Sequence, residues 1–181
     1  MMAQFFRTPK LGLFFAVAFL ALQGTPAAAA DSAGSGAYVR TAKGEKPLSV
    51  TFKDVFAFRA ETPRKEQVTV VILSELPMDR KAMTAALRKE RAVMALKTGP
   101  YLDHTAYAQL RIDQNGEIEG FDFDGRGPSV SVGGGKGDLK VNTAKRVEGS
   151  FSYHDYEDKM DLRFATDLAD VGPGSPVKTI R

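Results

Sequence analysis

Apolar and polar side chains alternate along much of this chain, and the places where the rhythm changes mark its elements. From Val50 to Ala60, the residues Val50, Phe52, Phe56 and Phe58 share one parity, and Thr51, Lys53 and Arg59 share the other. A period of two is the mark of a strand with one buried face. Asp54 interrupts the apolar parity, which asks for a bend or for two short strands. In Gln67–Ser74 the residues from Val70 to Leu73 are apolar on both parities. That predicts a central strand covered on both sides.

A single helix signal follows. Leu76 precedes Pro77 and is pushed toward extended geometry. Asp79 is a good N-cap, because its carboxylate accepts from orphan N–H groups of a first turn. Met78 and Met83 are spaced for a hydrophobic staple. Met83, Ala86 and Leu87 form a short apolar stripe, which four consecutive charges from Arg88 to Arg91 then blur. The spacing predicts a helix from Arg80 to about Lys89, with its cap at Asp79.

Strands resume at Thr105. Ala106, Ala108, Leu110 and Ile112 share a face, and Asp113-Gln114-Asn115-Gly116 is a turn. Two registers compete. With Gly116 as a bulge residue, Ile112 pairs with Ile118 and Arg111 with Glu119. A two-residue Asn-Gly turn instead pairs Leu110 with Phe121 and Ala108 with Phe123. Ile118 and Phe121 differ in parity, which predicts a bulge near Gly120. Short strands are expected at Ser129–Val132 and Asp138–Val141. The clearest hairpin is the last: it sets Phe151 opposite Leu162, and Gly149 opposite Phe164, where the glycine would leave room for the ring. The sum is an α+β, mainly antiparallel β fold. It is a β-sandwich or barrel of about seven or eight strands with one covering helix at about 79–89.

The front of the chain breaks the pattern. Arg7 and Lys10 precede an unbroken apolar block, Leu11 to Leu22, and Ala27 to Ala30 follow. Positive, apolar and small-residue zones in that order make a secretory signal peptide, with cleavage after Ala29 or Ala30. The apolar block is shorter than the roughly 20 residues of a spanning helix, so no stable membrane span is expected in the mature form. The expected location is the periplasm or the exterior. Residues 31–36 read as a flexible lead, 37–170 as a single β-rich domain, and 171–181 as a turn-rich tail rich in Gly and Pro. With no cysteine in the chain, neither a disulfide nor a lipid-bearing thiol is available. The core alone must hold the domain.

Removing 1–30 changes the charge. That segment holds two basic residues and no acid, so the remainder carries 23 basic against 22 acidic side chains, a net charge of +1. The two signs are mixed almost everywhere, as in Arg88-Lys89-Glu90-Arg91. Nucleic-acid binding needs basic residues gathered on one face, and that class is excluded.

Candidate chemistry is sparse. Gly133-Gly134-Gly135-Lys136-Gly137 lacks the spacing of a phosphate loop and precedes a strand. No Gly-x-Ser-x-Gly occurs, and Pro176 opposes the helical turn that a Ser175–Lys178 pair would need. His104 and His154 have no histidine at metal-ligand spacing. His154-Asp155-Tyr156-Glu157-Asp158 is dense in oxygens but lacks a calcium-loop pattern, and reads as a hairpin tip. Asp122 and Asp124 flank Phe123 on a strand, so both carboxylates point to one side. Together with His104 or His154 they form the one set that general acid–base work or a hard cation would use. Tyr101, Tyr107, Tyr153 and Tyr156 are candidates for a ligand surface or for packing. Nothing calls for a cofactor.

The leading expectation is a non-enzymatic exported module of the cell envelope that recognises a protein or peptide, with strand addition at a sheet edge as one mode. One alternative is a carrier of a small apolar ligand, in a cavity lined by some of Phe52, Phe56, Phe58, Phe151 and Phe164. The other is a hydrolase or calcium-binding protein using Asp122 and Asp124. The decisive question is whether His104, Asp122, Asp124 and His154 converge.

Overall fold

The computed structural model describes residues 32–62, 64–89, 96 and 100–172. The signal-peptide reading of residues 1–30 lies outside them, as does the tail beyond Gly172. Ten strands are described: β1 (Ala33–Arg40), β2 (Leu48–Phe52), β3 (Asp54–Glu61), β4 (Gln67–Ser74), β5 (Tyr107–Ile112), β6 (Ile118–Asp124), β7 (Val130–Gly133), β8 (Lys136–Asn142), β9 (Arg146–His154) and β10 (Asp158–Asp167). One helix, α1 (Arg80–Lys89), lies between β4 and β5. The strands form two five-stranded antiparallel sheets, sheet A in the order β2-β1-β10-β9-β8 and sheet B in the order β3-β4-β5-β6-β7. The connectivity is that of a meander closed by the pairing of β1 with β10. The ladder is interrupted at two corners, one at Lys53 and one at Gly134-Gly135, where the chain passes between sheets. Two open sheets packed face to face result, rather than a continuous barrel.

The strand count exceeds the expected seven or eight, chiefly because β1 begins at Ala33. Residues 33–36, expected to form a flexible lead, are strand: all four pair with β10, and Gly36 also pairs with Phe52 of β2. Their small side chains lack the apolar alternation that marks a strand, and their partners supply the order. The domain therefore starts before residue 37. At the other end Val171, assigned to the tail, is buried in the cluster under α1.

The principal core lies between the sheets. Tyr38, Val50, Phe52, Phe151, Met160, Leu162 and Phe164 of sheet A meet Val55, Val71, Leu73, Leu110, Phe121 and Phe123 of sheet B. A second apolar layer covers the outer face of sheet B, where Phe56, Phe58, Val70 and Ile72 pack with Met78, Met83 and Leu87. Buried layers on both faces explain why β4 is apolar on both parities. The corner at Lys53 also corrects one reading. Phe52 faces the inter-sheet core, whereas Phe56 and Phe58, of the same parity, face α1. The five phenylalanines grouped as a cavity lining are thus divided between two layers.

Asp54 is more than an interruption. Its carboxylate accepts from the Val55 N–H at 2.9 Å and the Met78 N–H at 2.8 Å, and it pairs with Arg80. Arg80 also donates to the Val55 carbonyl at 2.9 Å. Asp79 caps the helix as expected, accepting from Ala82 N–H at 2.9 Å. Arg88 and Lys89 occupy the last turn, where the helix dipole favours cations.

The β5–β6 hairpin contains both competing registers. Leu110 lies opposite Phe121 and Ala108 opposite Phe123, yet Ile112 lies opposite Ile118. The shift falls between Arg111 and Ile112, with Gly120 opposite Arg111. Gly120 has φ +150°, and a Cβ there would come within 2.1 Å of the Val132 carbonyl oxygen, so only glycine fits. In the last hairpin Phe151 faces Leu162 and Gly149 faces Phe164. The space at Gly149, however, is taken by β8: a Cβ would meet Asp138 O at 2.5 Å and Leu139 Cδ2 at 2.8 Å.

Two substitutions separate the layers. Leu162→Ala leaves a hole between the sheets and is expected to cost about 2–5 kcal/mol of global stability in urea unfolding. Asp54→Ala strips an acceptor from two N–H groups and is expected to cost about 1–3 kcal/mol. Amide exchange should then rise in α1 before it rises in β9 and β10. Equal acceleration in all three elements would refute the anchoring role of Asp54.

Candidate binding face

The four residues singled out for chemistry do not meet. Asp122 and Asp124 lie on β6 with Phe121 and Phe123 turned inward, so both carboxylates face outward from sheet B. Asp122 accepts from Ser131 Oγ at 2.6 Å. Asp124 accepts from Gly125 N–H at 2.8 Å and Ser129 Oγ at 3.0 Å. Tyr107 lies opposite Asp124, and its phenol is pushed up to about 12 by burial first and by the charges of Asp124 and Asp122 next. Gln109, opposite Asp122, is buried, and its amide has no hydrogen-bond partner among the described residues. His104 is exposed in the turn before β5. His154 ends β9, and its Nε2 lies 2.9 Å from Asp161 Oδ2 on the outer face of sheet A. The two aspartates and His154 are therefore on opposite sides of the sandwich. Among the described residues no group of three or more His, Asp or Glu is placed to hold a metal ion, and no helix is long and apolar enough to cross a membrane.

The acidic hairpin tip is occupied by its own turn. Asp155 accepts from Asp158 N–H at 2.6 Å, Tyr153 OH at 2.7 Å and Glu157 N–H at 2.8 Å. These donors, with Asp158 N–H the strongest, hold its carboxyl below the usual range. Asp158 turns inward, where it accepts from Tyr38 OH and takes two hydrogen bonds from Arg40 at 3.0 and 3.1 Å. This trio, in which Tyr38 and Asp158 are buried and Arg40 half-buried, closes one end of the inter-sheet core. Its sequence signal is the register itself: Arg40 lies directly opposite Asp158.

The outer faces of the two sheets differ in kind. That of sheet B carries α1. That of sheet A carries no described helix or strand and is floored by small side chains. One row across the strands reads Thr51, Ala37, Asp161, Ser152, Lys136, and the next Ser35, Arg163, Ser150, Asp138. Small residues flank each central charge, so the charge stands above its neighbours. Asp161 is engaged by His154. Arg163 makes no hydrogen bond or ion pair with any described residue. Two adjoining hollows, of about 430 and 570 Å³, open on this face, and Arg163 borders both.

The sheet edges are less available. β8 carries a register shift between Leu139 and Val141 and exposes Lys136 and Lys140. A bulge and lysines are devices that blunt an edge. β7 is four residues long. The edge of β3 is met by the chain leaving β10, through the Ala57–Leu168 bridge and an Ala169 N–H···O=C Ala57 bond of 2.8 Å. The remaining edge, that of β2, is paired on one side alone, with β1.

No protein-family profile matches the chain, and no curated protein or solved structure aligns with it significantly.

The Asp155 turn has a pH signature. Its folded carboxyl titrates below the ordinary value of about 3.9, so its stabilising contribution is present above that value and fades as the pH falls through the folded one. Asp155→Ala is expected to lower the urea midpoint at pH 7 and to flatten the acid limb below about pH 4. Parallel acid limbs in the two proteins would contradict this.

Proposed function

We propose that this chain is a non-enzymatic, exported binding module of the cell envelope, which holds an extended protein or peptide segment on the open face of sheet A. The observation that carries this reading is Arg163: a guanidinium without a partner among the described residues, raised on a floor of Ser35, Ser150 and Ala37, between two hollows. Guanidinium presents a planar fork of donors that matches a carboxylate. An extended segment with an acidic side chain would set that group on Arg163 and its neighbouring side chains in the hollows. The flanking serines supply short hydroxyls for backbone groups. Asp161 and Asp138 repel a ligand carboxylate from the wrong register, which favours one placement.

Several observations support a module without catalysis. The residues with acid–base potential are spread over two outer faces, and the acidic hairpin tip is consumed by its turn. Interlocked rings fill the inter-sheet space: Phe121 lies 5.9 Å from Phe151 and 5.4 Å from Tyr153, centroid to centroid. Export rests on the front of the sequence, where positive, apolar and small-residue zones succeed one another.

Selection from a displayed random-peptide library against the mature chain tests the reading. Enriched peptides are expected to be acidic. Their affinity should fall about tenfold or more on Arg163→Glu, because the charge is reversed at the contact. Ser150→Arg, which fills the floor, should also abolish capture while leaving the unfolding midpoint close to that of the parent. Failure to enrich any peptide, or enriched peptides that bind Arg163→Glu equally well, would overturn it.

A further inference from the structure

A third hollow, of about 750 Å³, lies at the end of the sandwich where the β8–β9 turn meets the chain leaving β10. Its volume is within the range of small-molecule sites, roughly 300–1,000 Å³. Arg59 enters it from the core-facing side of β3, in line with Val55 and Ala57. The guanidinium is held by Asn142 Oδ1 at 3.2 Å and the Thr143 carbonyl at 3.0 Å, both through Nη2. Both acceptors are neutral. Nε and Nη1 have no hydrogen bond to a described residue, and no described carboxylate lies within ion-pair distance.

That sets Arg59 apart from the arginines that have a described ion pair; Arg88, more exposed, is likewise held by a neutral acceptor, the Asp170 carbonyl at 3.1 and 3.2 Å. Arg40 has Asp158, Glu45 and Glu157; Arg80 has Asp54; Arg126 has Glu75; Arg146 has Asp167. Arg59 is half-buried without a counter-charge among the described residues, and burial lowers its proton affinity. A charge taken from water is retained at least cost when an opposite charge meets it. Lys145 borders the same hollow, and its amine also has no described partner. Arg146 borders it too, with its charge spent on Asp167 at 3.0 Å. Leu168, Ala169 and Val171 form an apolar wall. Asp170 adds one negative charge at the rim and accepts from Gly172 N–H at 3.0 Å. It disfavours a ligand with more than one negative charge.

We infer that this hollow is a binding site for a small organic monoanion, a carboxylate with a short aliphatic chain, whose head pairs with Arg59 and Lys145 and whose chain lies on Leu168 and Val171. The site is separate from the open face of sheet A, and its ligand is of a different class. The bland alternative gives Arg59 one task, that of tying the β8–β9 turn to sheet B, and predicts no anion binding.

Hexanoate is the probe, with hexanol as its uncharged counterpart, titrated into the full mature chain by calorimetry and by amide chemical shifts. Saturable hexanoate binding is expected, with shifts gathered at Lys145, Leu168 and Ala169, and no matching response to hexanol. Lys145→Glu should weaken binding about fivefold to tenfold without moving the unfolding midpoint, since that amine bonds to nothing described. Arg59→Gln should abolish binding. If that variant unfolds, Lys145→Glu alone decides the matter. Absence of saturation, an equal response to hexanol, or unchanged affinity in Lys145→Glu would overturn the proposal.

Discussion

The pairing of β1 with β10 joins the two ends of the domain and turns two separate hairpin systems into sheet A. It runs from Ala33 opposite Ala165 to Arg40 opposite Asp158. Without it, β1-β2 and β8-β9-β10 would be ribbons with unpaired edges, and sheet B would have only fragments to pack against. The contacts are far apart in sequence, so the loss of chain entropy precedes their gain. With no cysteine to shorten that loop, the gain must come from side chains. Tyr38 supplies much of it: its ring lies 4.1 Å from that of Phe123 across the sheets, and its hydroxyl reaches Asp158 on the neighbouring strand. One residue thus secures the strand pair and the sheet pair together.

Most of the framework was legible in the alternation of apolar residues. Gln67–Ser74 and Arg80–Lys89 have the bounds that their patterns implied, because each carries its own signal: a run apolar on both parities in one case, a cap and a stripe in the other. The facing of Phe151 with Leu162 followed from hairpin geometry. Parity misled where it ran through the corner at Lys53. A count of odd and even positions carries no information about which sheet a strand joins, so Phe52 and Phe56 looked equivalent. β1 was missed for a related reason. Ala33, Gly34, Ser35 and Gly36 have the composition of a linker, and their strand geometry is imposed by pairing with β10.

The candidate sites were harder to read. Asp122, Asp124, His104 and His154 drew notice because their side chains suit familiar chemistry, but residue type is silent on which face a strand shows. The arginines that matter here were ordinary in sequence. Arg163 and Arg59 differ from Arg40 and Arg80 in forming no ion pair with a described carboxylate, and that difference is a property of the fold. Arg111 with Glu119 was the exception. A hairpin register foresaw the pair, and the side chains lie 3.8 Å apart, although the bulge moves Gly120 into the directly opposed place.

The helical layer on sheet B stands in an unequal relation to the core between the sheets. Helix α1 requires the strands beneath it, since Met83 and Leu87 are buried in a cluster built mainly on Phe56, Phe58, Val70 and Ile72. The strands do not require the helix to keep their own ladder. Such an arrangement allows a partial opening in which the outer layer lifts while the sandwich persists. That excursion would bare Phe56, Phe58, Val70 and Ile72 as one flat, adhesive patch. The safety of this molecule against self-association thus depends on two clasps beside the buried stripe, the carboxylate of Asp54 at the helix entrance and Arg88 on the Asp170 carbonyl at its exit.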